Sequence, residues 1–278
     1  MEIKAAEVKA LREKTGAGMM ECKNALVSCN GDAHAAEKLL KEKGLAAVEK
    51  RADRATTEGL ILIRNEGKKA VMAELTCETD FVAKNVDFIA LGNDVINTAF
   101  DKDVTEVTPE LSKMVLDMAT KVRENMSLSR LVSLHAADDE FIANYIHSDK
   151  KTGVMIKFKA DKSEIFSNQI VKEFTYDCCL HVAAYTPLYT DSSEVDPAYI
   201  EEQKEIFTVQ AKESGKPENV QIGIVQGKLK KHLAEICFVE QAFVKDDKMS
   251  VAKKMEEVGK AVSAKITLSK VVLFQLGK

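Results

Sequence analysis

The chain has 278 residues, 45% of them hydrophobic and 30% charged, enough for one large domain or two to three small ones. A net charge of -4 and a pI of about 5.9 give none of the basic excess expected of a nucleic-acid binder. No apolar run approaches the ~20 residues that span a bilayer, and the opening Met-Glu-Ile-Lys lacks a signal peptide's apolar core. The expectation is therefore a cytoplasmic protein with no membrane or direct nucleic-acid partner. Its six scattered cysteines, with no Cys-x-x-Cys pair, read as reduced thiols packed as small apolar side chains.

Along the chain, the first 54 residues read as short helices. Val8 and Leu11 mark the first, which ends near Gly16. Met19, Cys22, Leu26 and Cys29 lie at helical spacing and mark the inner face of the second, which Gly31 breaks. Asp32 caps a third helix that uses Ala36, Leu39 and Leu40 and ends near Gly44. The charged stretch from Lys41 to Arg54 is either a solvated helix or a linker; with 11 Lys and Arg against 9 Asp and Glu, Met1 to Arg54 is too weakly basic to argue for phosphate binding.

A hairpin follows: Leu60–Ile63, the turn Asn65-Glu66-Gly67-Lys68, and Ala70–Cys77. Asp87–Phe100 and Pro109–Met126 read as helices, the latter from Leu111, Val115, Met118 and Val122. The order then repeats, with strand Phe141–Ile146, a turn over Ser148–Gly153, strand Val154–Phe158 and a helix from about Ile165 to Ala184. Lys157 and Lys159 on alternate sites predict one wet face for that last strand. Two stretches separated by Ser214-Gly215-Lys216-Pro217 form a helical hairpin. It either packs on its own body or projects as an arm toward a partner or a second copy of the chain. Ser250 caps a short helix with Val251, Met255 and Val258. Ile266, Leu268, Val272, Phe274 and Leu276 at even spacing, interrupted by Lys270, predict a final strand that completes a sheet.

Little in the chain points to catalysis. There is no Gly-x-x-x-x-Gly-Lys-Ser/Thr loop, and Gly16-Ala17-Gly18 follows a helix rather than a strand. The five histidines have no metal-ligand spacing, and Cys178-Cys179 fits a core better than a redox pair. No enzyme activity, metal or cofactor is expected. Thr79-Asp80-Phe81-Val82-Ala83-Lys84-Asn85 lies between a strand and a helix, with Thr79 or Asp80 able to cap. On loop chemistry alone, Phe81 either folds under the helix or projects as an apolar wedge beside a carboxylate. Met19 suits the inner face of its helix, Met20 points about 100° away, and adjacent methionines at a turn suggest that at least one is exposed.

Leu11-Arg12-Glu13-Lys14-Thr15-Gly16-Ala17-Gly18-Met19-Met20-Glu21-Cys22-Lys23-Asn24-Ala25-Leu26, taken with the Thr79–Asn85 loop, resembles the elongation factor Ts family in identity, order and spacing. The resemblance is strongest from Met1 to about Leu91. It returns at Tyr145-Ile146-His147, His181-Val182-Ala183-Ala184 and Phe243-Val244-Lys245-Asp246. It implies a guanine-nucleotide exchange factor whose partner is elongation factor Tu; a second copy of the chain is a further candidate from the helical hairpin alone. It also implies that Thr79, Asp80, Phe81 and Val82 intrude near the partner's Mg²⁺ site, with Phe81 as wedge. Arg12, Met19 and Met20 would contact its GTPase domain, and His147 another domain. After His147 this chain departs from the family's Gly-Arg-Ile-Gly-like turn and very apolar strand.

The expected fold class is α+β. An N-terminal three-helix bundle, UBA-like by the resemblance, covers 1–54. Two related subdomains with small antiparallel sheets cover 55–140 and 141–278. The second includes the helical hairpin at about 187–232 and a helix-strand module at about 245–278. A helical scaffold and an RNA-binding translation protein are the competing classes; the first would tolerate loss of the Asp80-Phe81 loop, and the second would bind nucleic acid with strong salt dependence.

Overall fold

The computed structural model describes residues 3–278, so the first two residues of the N-terminal stretch lie outside the described residues. Helices α1 (Ala5–Thr15), α2 (Met19–Ser28) and α3 (Ala33–Glu49) open the chain. They close over a small core of Val8, Leu11, Cys22, Ala25, Leu26 and Ala36. Gly16 ends α1 at φ 70, a left-handed conformation that glycine adopts without a Cβ clash. Asp32 caps α3 by accepting the N–H groups of His34 and Ala35.

α3 does not stop at Gly44. It runs a further turn and more to Glu49, because Gly44 lets the helix lie close against Thr120; a Cβ there would sit 3.3 Å from the Thr120 Cβ. That close packing offsets the ~1 kcal/mol that glycine costs inside a helix. The stretch after Gly44 is thus helix, and Val48 belongs to the next core.

The body is α+β. Strands β1 (Glu58–Glu66), β2 (Lys69–Cys77) and β3 (Met126–His135) form an antiparallel sheet in the order β1-β2-β3. Between β2 and β3 come α4 (Asp80–Ala83), α5 (Val86–Asp101) and α6 (Pro109–Val122). A second antiparallel sheet, in the order β4-β5-β8, uses β4 (Glu140–Ile146), β5 (Thr152–Ala160) and β8 (Ile266–Gln275). Between β5 and β8 lie α7 (Gln169–Tyr185), α8 (Pro197–Lys212), α9 (Glu218–Ile236), the short pair β6 (Ala242–Phe243) and β7 (Asp246–Ser250), and α10 (Val251–Ala261).

One face of the first sheet packs on α5 and α6 through Val71, Leu75, Phe88, Val95, Leu111 and Val115. One face of the second packs on α7 and α10 through Val154, Ile156, Phe174, Val182, Val251 and Val258. The remaining two faces meet through Ile61, Ala70, Met72, Leu134, Ile142, Met155 and Phe274. The body is therefore four layers, helix–sheet–sheet–helix, with each sheet covered on both sides. This explains why β2 and the first half of β5 are buried almost continuously.

Four expectations change. The helix read as Pro109–Met126 ends at Val122, because Arg123 turns left-handed at φ 67. Met126 instead begins β3. Arginine is not a usual residue for that conformation, so nothing local announced the stop. The helix read from Ile165 is broken at Asn168, which ends the 3-10 turn Ser163–Ser167 and caps α7. β5 is wet on that face only toward its end: Gly153 and Met155 on the side of Lys157 are buried between the sheets, while Lys159 is exposed. Lys157 and Lys159 lie beyond that contact and pair with Glu140 (3.0 Å) and Asp139 (3.0 Å). Finally, β8 does not keep one apolar face. Lys157 pairs with Lys270 and Phe158 with Leu268, so Ser269 bulges out. Ile266 and Leu268 then share a core with Val271 and Leu273, while Val272, Phe274 and Leu276 face the other sheet.

The two halves repeat closely. Glu74 pairs with Arg130 and Leu75 with Leu128, which leaves Ser129 as the bulge in β3. Leu128-Ser129-Arg130 and Leu268-Ser269-Lys270 thus occupy equivalent bulges, a trace of residue identity beneath the shared pattern. Helices α8 and α9 pack on each other and fully bury only Ala211. They project as an arm, joined to the body where Leu188 and Tyr189 donate to the Ile236 carbonyl.

The sheets meet most closely at Gly153, where a Cβ would lie 2.5 Å from Ile61 Cγ2 and 3.0 Å from Met72 Sδ. Gly153→Ala is expected to cost about 1–3 kcal/mol by overpacking, read as a lower urea midpoint at unchanged slope. A second expectation concerns His181, buried against Tyr185 and Phe238. Val244 donates its N–H to Nδ1 (3.1 Å) and Nε2 faces Gln241 Oε1 (2.9 Å), so the ring is held neutral. Burial, opposed by the Gln241 bond, lowers its pKa from the ordinary value. The unfolded chain then binds the extra proton, so this contribution is complete above about pH 6.5 and is lost as pH falls through it. Urea midpoints at pH 7.5 and 5.5 should differ less in His181→Gln than in the parent protein.

Candidate functional site

The loop after β2 is held from below rather than by its own contacts. Thr79 caps α4, its Oγ1 accepting the Val82 N–H (3.3 Å). Glu124 accepts three hydrogen bonds from it: Glu78 N–H and Thr79 N–H at 3.1 Å each, and Thr79 O–H at 2.6 Å. Val82 packs against the core, while Asp80 pairs with Lys84 at 2.7 Å. The Lys84 hydrogen bond holds the Asp80 carboxyl below its ordinary range, so it is ionised at neutral pH.

On this rigid base Phe81 is 84% exposed and Val86, one residue past the Asn85 cap, is 79% exposed. The second half of the body gives the comparison. Cys77 and Ala160 end equivalent strands, and both are followed eight residues later by an Asn that caps the long helix. The position of Phe81 is taken there by Glu164, also exposed. A surface site that accepts a charge in one copy carries an unburied aromatic ring in the other.

Glu124 is the middle of three consecutive residues that gather the site. Arg123 pairs with Glu21 in the first turn of α2, and Glu21 in turn accepts the Gly18 N–H (2.9 Å). Asn125 donates its side-chain amide to the carbonyls of Ala52 (3.0 Å) and Arg54 (2.7 Å), and its N–H to Glu78 (2.6 Å). The start of α2, the chain leaving α3 and the loop after β2 are thereby fastened to one turn at the end of α6. Sequence reading missed all three residues, since it placed them inside a helix. The only available signal was an Arg-Glu-Asn run of polar residues interrupting the apolar helical pattern.

Met19 is 58% and Met20 64% exposed, so Met19 does not lie on the inner face of α2. The turn of α2 it begins precedes the part that α1 and α3 cover; the inward side chains are Cys22, Ala25 and Leu26. Arg12 is exposed on the last turn of α1. Among the described residues, Arg12, Met19 and Met20 share no hydrogen bond or ion pair with Thr79–Val82; the link runs through Arg123 and Glu124.

His147 is exposed at the end of β4, its Nδ1 2.9 Å from the Tyr145 hydroxyl, and Tyr145 stacks edge-on against Tyr176 at 5.9 Å. The turn after it lies beside the loop. Lys151 pairs with Glu58 (2.6 Å), and that bond, then the charges of Glu58, Asp149 and Asp80, raise its pKa. Lys150 accepts the Ile61 N–H at 2.7 Å, binding this turn to the first sheet.

Cys178 and Cys179 are buried, with both thiols pushed up by burial, and Cys77 is pushed up to about 12. Among the described residues no group of three His, Cys, Asp or Glu could hold a metal ion, and no helix is long and apolar enough to cross a membrane.

Comparison with known proteins adds an independent finding. The family model described as elongation factor TS matches residues 78–278. Elongation factor Ts of Treponema denticola is 66% identical over all of this chain and 99% of its own length. That of Treponema pallidum is 51% identical over the same shares, and that of Borrelia recurrentis 42% identical over 96% of each.

If the Glu124 carboxylate holds the loop, Glu124→Ala should raise amide hydrogen exchange at Glu78 and Thr79 by roughly 10–100-fold, the equivalent of about 1.5–3 kcal/mol for bonds to a charged group. Exchange in the amides of α5 should stay unchanged.

Proposed function

The chain belongs to the elongation factor Ts family, and on that premise we propose that it binds elongation factor Tu carrying GDP and speeds loss of the nucleotide by disturbing its magnesium and phosphate contacts. Membership makes it a guanine-nucleotide exchange factor of translation elongation. The mechanism is read from the site.

GDP in such a GTPase is held by a phosphate-cradling loop and by Mg²⁺. An exchange factor need not touch either. It has to bind the state in which those contacts are broken better than the intact state, after which factor and nucleotide weaken each other equally. Each tenfold of that coupling is ~1.4 kcal/mol.

The observation that carries the reading is Phe81, 84% exposed on a loop whose base is fully hydrogen-bonded. A ring presented this way is costly to leave in water; burying it against a partner gains about 1.5–3 kcal/mol. Because Glu124 and the Thr79 cap resist displacement of the loop, the partner rather than the loop gives way. In this reading Phe81 is the wedge, Thr79 and Val82 seat it, and Asp80 engages the partner or fixes the loop through Lys84. A single carboxylate paired with a lysine is a poor metal site, so Asp80 does not extract Mg²⁺.

Leverage needs a second hold. Met19 and Met20 offer soft apolar contacts, with Arg12 beside them on α1, for the GTPase domain. His147, braced by Tyr145, serves another domain. The arm of α8 and α9, with Ile206, Val209, Val220 and Ile222 exposed, is open to a partner or a second copy.

Release of a fluorescent GDP analogue from elongation factor Tu tests this. The intact chain should accelerate release, and Phe81→Ala should reduce the acceleration at least tenfold while leaving binding measurable. Truncating Met19 and Met20 together should weaken affinity instead. Release by Phe81→Ala as fast as by the parent protein would rule out the wedge.

A further inference from the structure

The N-terminal helices and the first half of the body line an open cavity of about 550 Å³ between α3 and α6. That is within the ~300–1,000 Å³ of small-molecule sites. Its wall carries six Lys and Arg against three Asp and Glu. Two of those carboxylates are engaged, Glu37 by Lys14 (2.5 Å) and Glu21 by Arg123. What remains is Lys41, Lys43, Arg51 and Lys121 against Asp117 alone.

Arg51 decides what the cavity is for. It is only 9% exposed, a burial that arginine rarely accepts without a partner. Its Nε donates to the Ala47 carbonyl at 2.7 Å, and among the described residues no acceptor meets its two Nη groups. Those two Nη groups still reach water, so the fork stands open, and its geometry matches two oxygens of one anion. Lys41 and Lys43 stand on α3 and Lys121 on the facing helix, each a mobile point charge able to meet further oxygens. Four cations facing one carboxylate exceed what a single carboxylate ligand would neutralise. Leu40 and Ala47 supply apolar wall beside them.

We propose that this cavity binds a small molecule carrying adjacent phosphates: inorganic pyrophosphate or a nucleoside di- or triphosphate. The occupant would touch α3 through Lys41 and Lys43, the turn after it through Arg51 and α6 through Lys121, and so would clamp the N-terminal helices to the body. The proposal does not depend on the exchange reading, although Arg123 and Glu21, which belong to the anchor of the Phe81 loop, also line this cavity.

Titration calorimetry of the full chain with pyrophosphate, ATP and adenosine, at about 50 mM salt where screening is weak, decides the matter. One-to-one binding of pyrophosphate or ATP is expected, with none of adenosine. ATP binding more tightly than pyrophosphate assigns the nucleoside to the cavity as well; equal affinities assign the phosphates alone. Arg51→Gln should weaken binding at least tenfold, and exposed Lys248→Gln should not alter it. Should Arg51→Gln lose its helical circular dichroism, the double variant Lys43→Gln with Lys121→Gln, both at exposed positions, gives the same reading. Absence of binding at millimolar ligand, stoichiometry above one, or affinity unchanged in the cavity variants overturns the proposal.

Discussion

Two sheets pressed face to face govern this molecule. The contact through Ile61, Met72, Met155 and Phe274, with helices on both outer faces, leaves the central strands β2 and β5 mostly buried on both sides. Strands so enclosed have to be apolar on both sides, and polar groups among them must be paired. Glu74 shows the cost of an exception: nearly buried in β2, it is matched by Arg130 at 2.5 Å and by the Gly277 N–H at 3.1 Å. Arg130 in turn donates to the Gln275 carbonyl and stacks on Phe274. One ion pair thus stitches β2, β3 and the end of β8 across the sheet interface.

With the sheets sealed, anything offered to a partner has to stand on loops and helix ends. The turn Arg123-Glu124-Asn125 collects them. Its residues hold the start of α2, the loop after β2 and the segment leaving α3, in that order. Three stretches distant in the chain therefore share one anchor, and the wedge proposed for Phe81 requires a rigid one. On that proposal, flexible attachment would let Phe81 fold away against its own loop.

The repeat explains how such a site arose in only one half. Both halves keep the nine-residue central strand, the serine bulge in the neighbouring strand and the Asn-capped helix. They differ where the framework does not constrain them. The surface position after the strand is Phe81 in one half and Glu164 in the other. The second half instead carries its additions between α7 and β8, where the α8–α9 arm and the β6–β7 pair are inserted without disturbing the sheet.

Much of this was legible in the residues. Helical spacing and the Asp32 cap mark α2 and α3, the Glu66-Gly67-Lys68 turn marks the first hairpin, and the two motifs carry the family. These are local signals, set by neighbours a few positions apart. Tertiary structure decided the rest. Gly44 ends a helix by local rules but permits close packing on Thr120, and α3 continues. Met126 fits the spacing of α6 but pairs with Cys77 once Arg123 turns left-handed. Met19 fits an inner face that no neighbouring helix reaches. Ser269 shifts the register of β8 and divides its apolar residues between two cores. For Gly44, Met126 and Ser269 the deciding partner lies tens to hundreds of residues away, where the period of a sequence cannot report it.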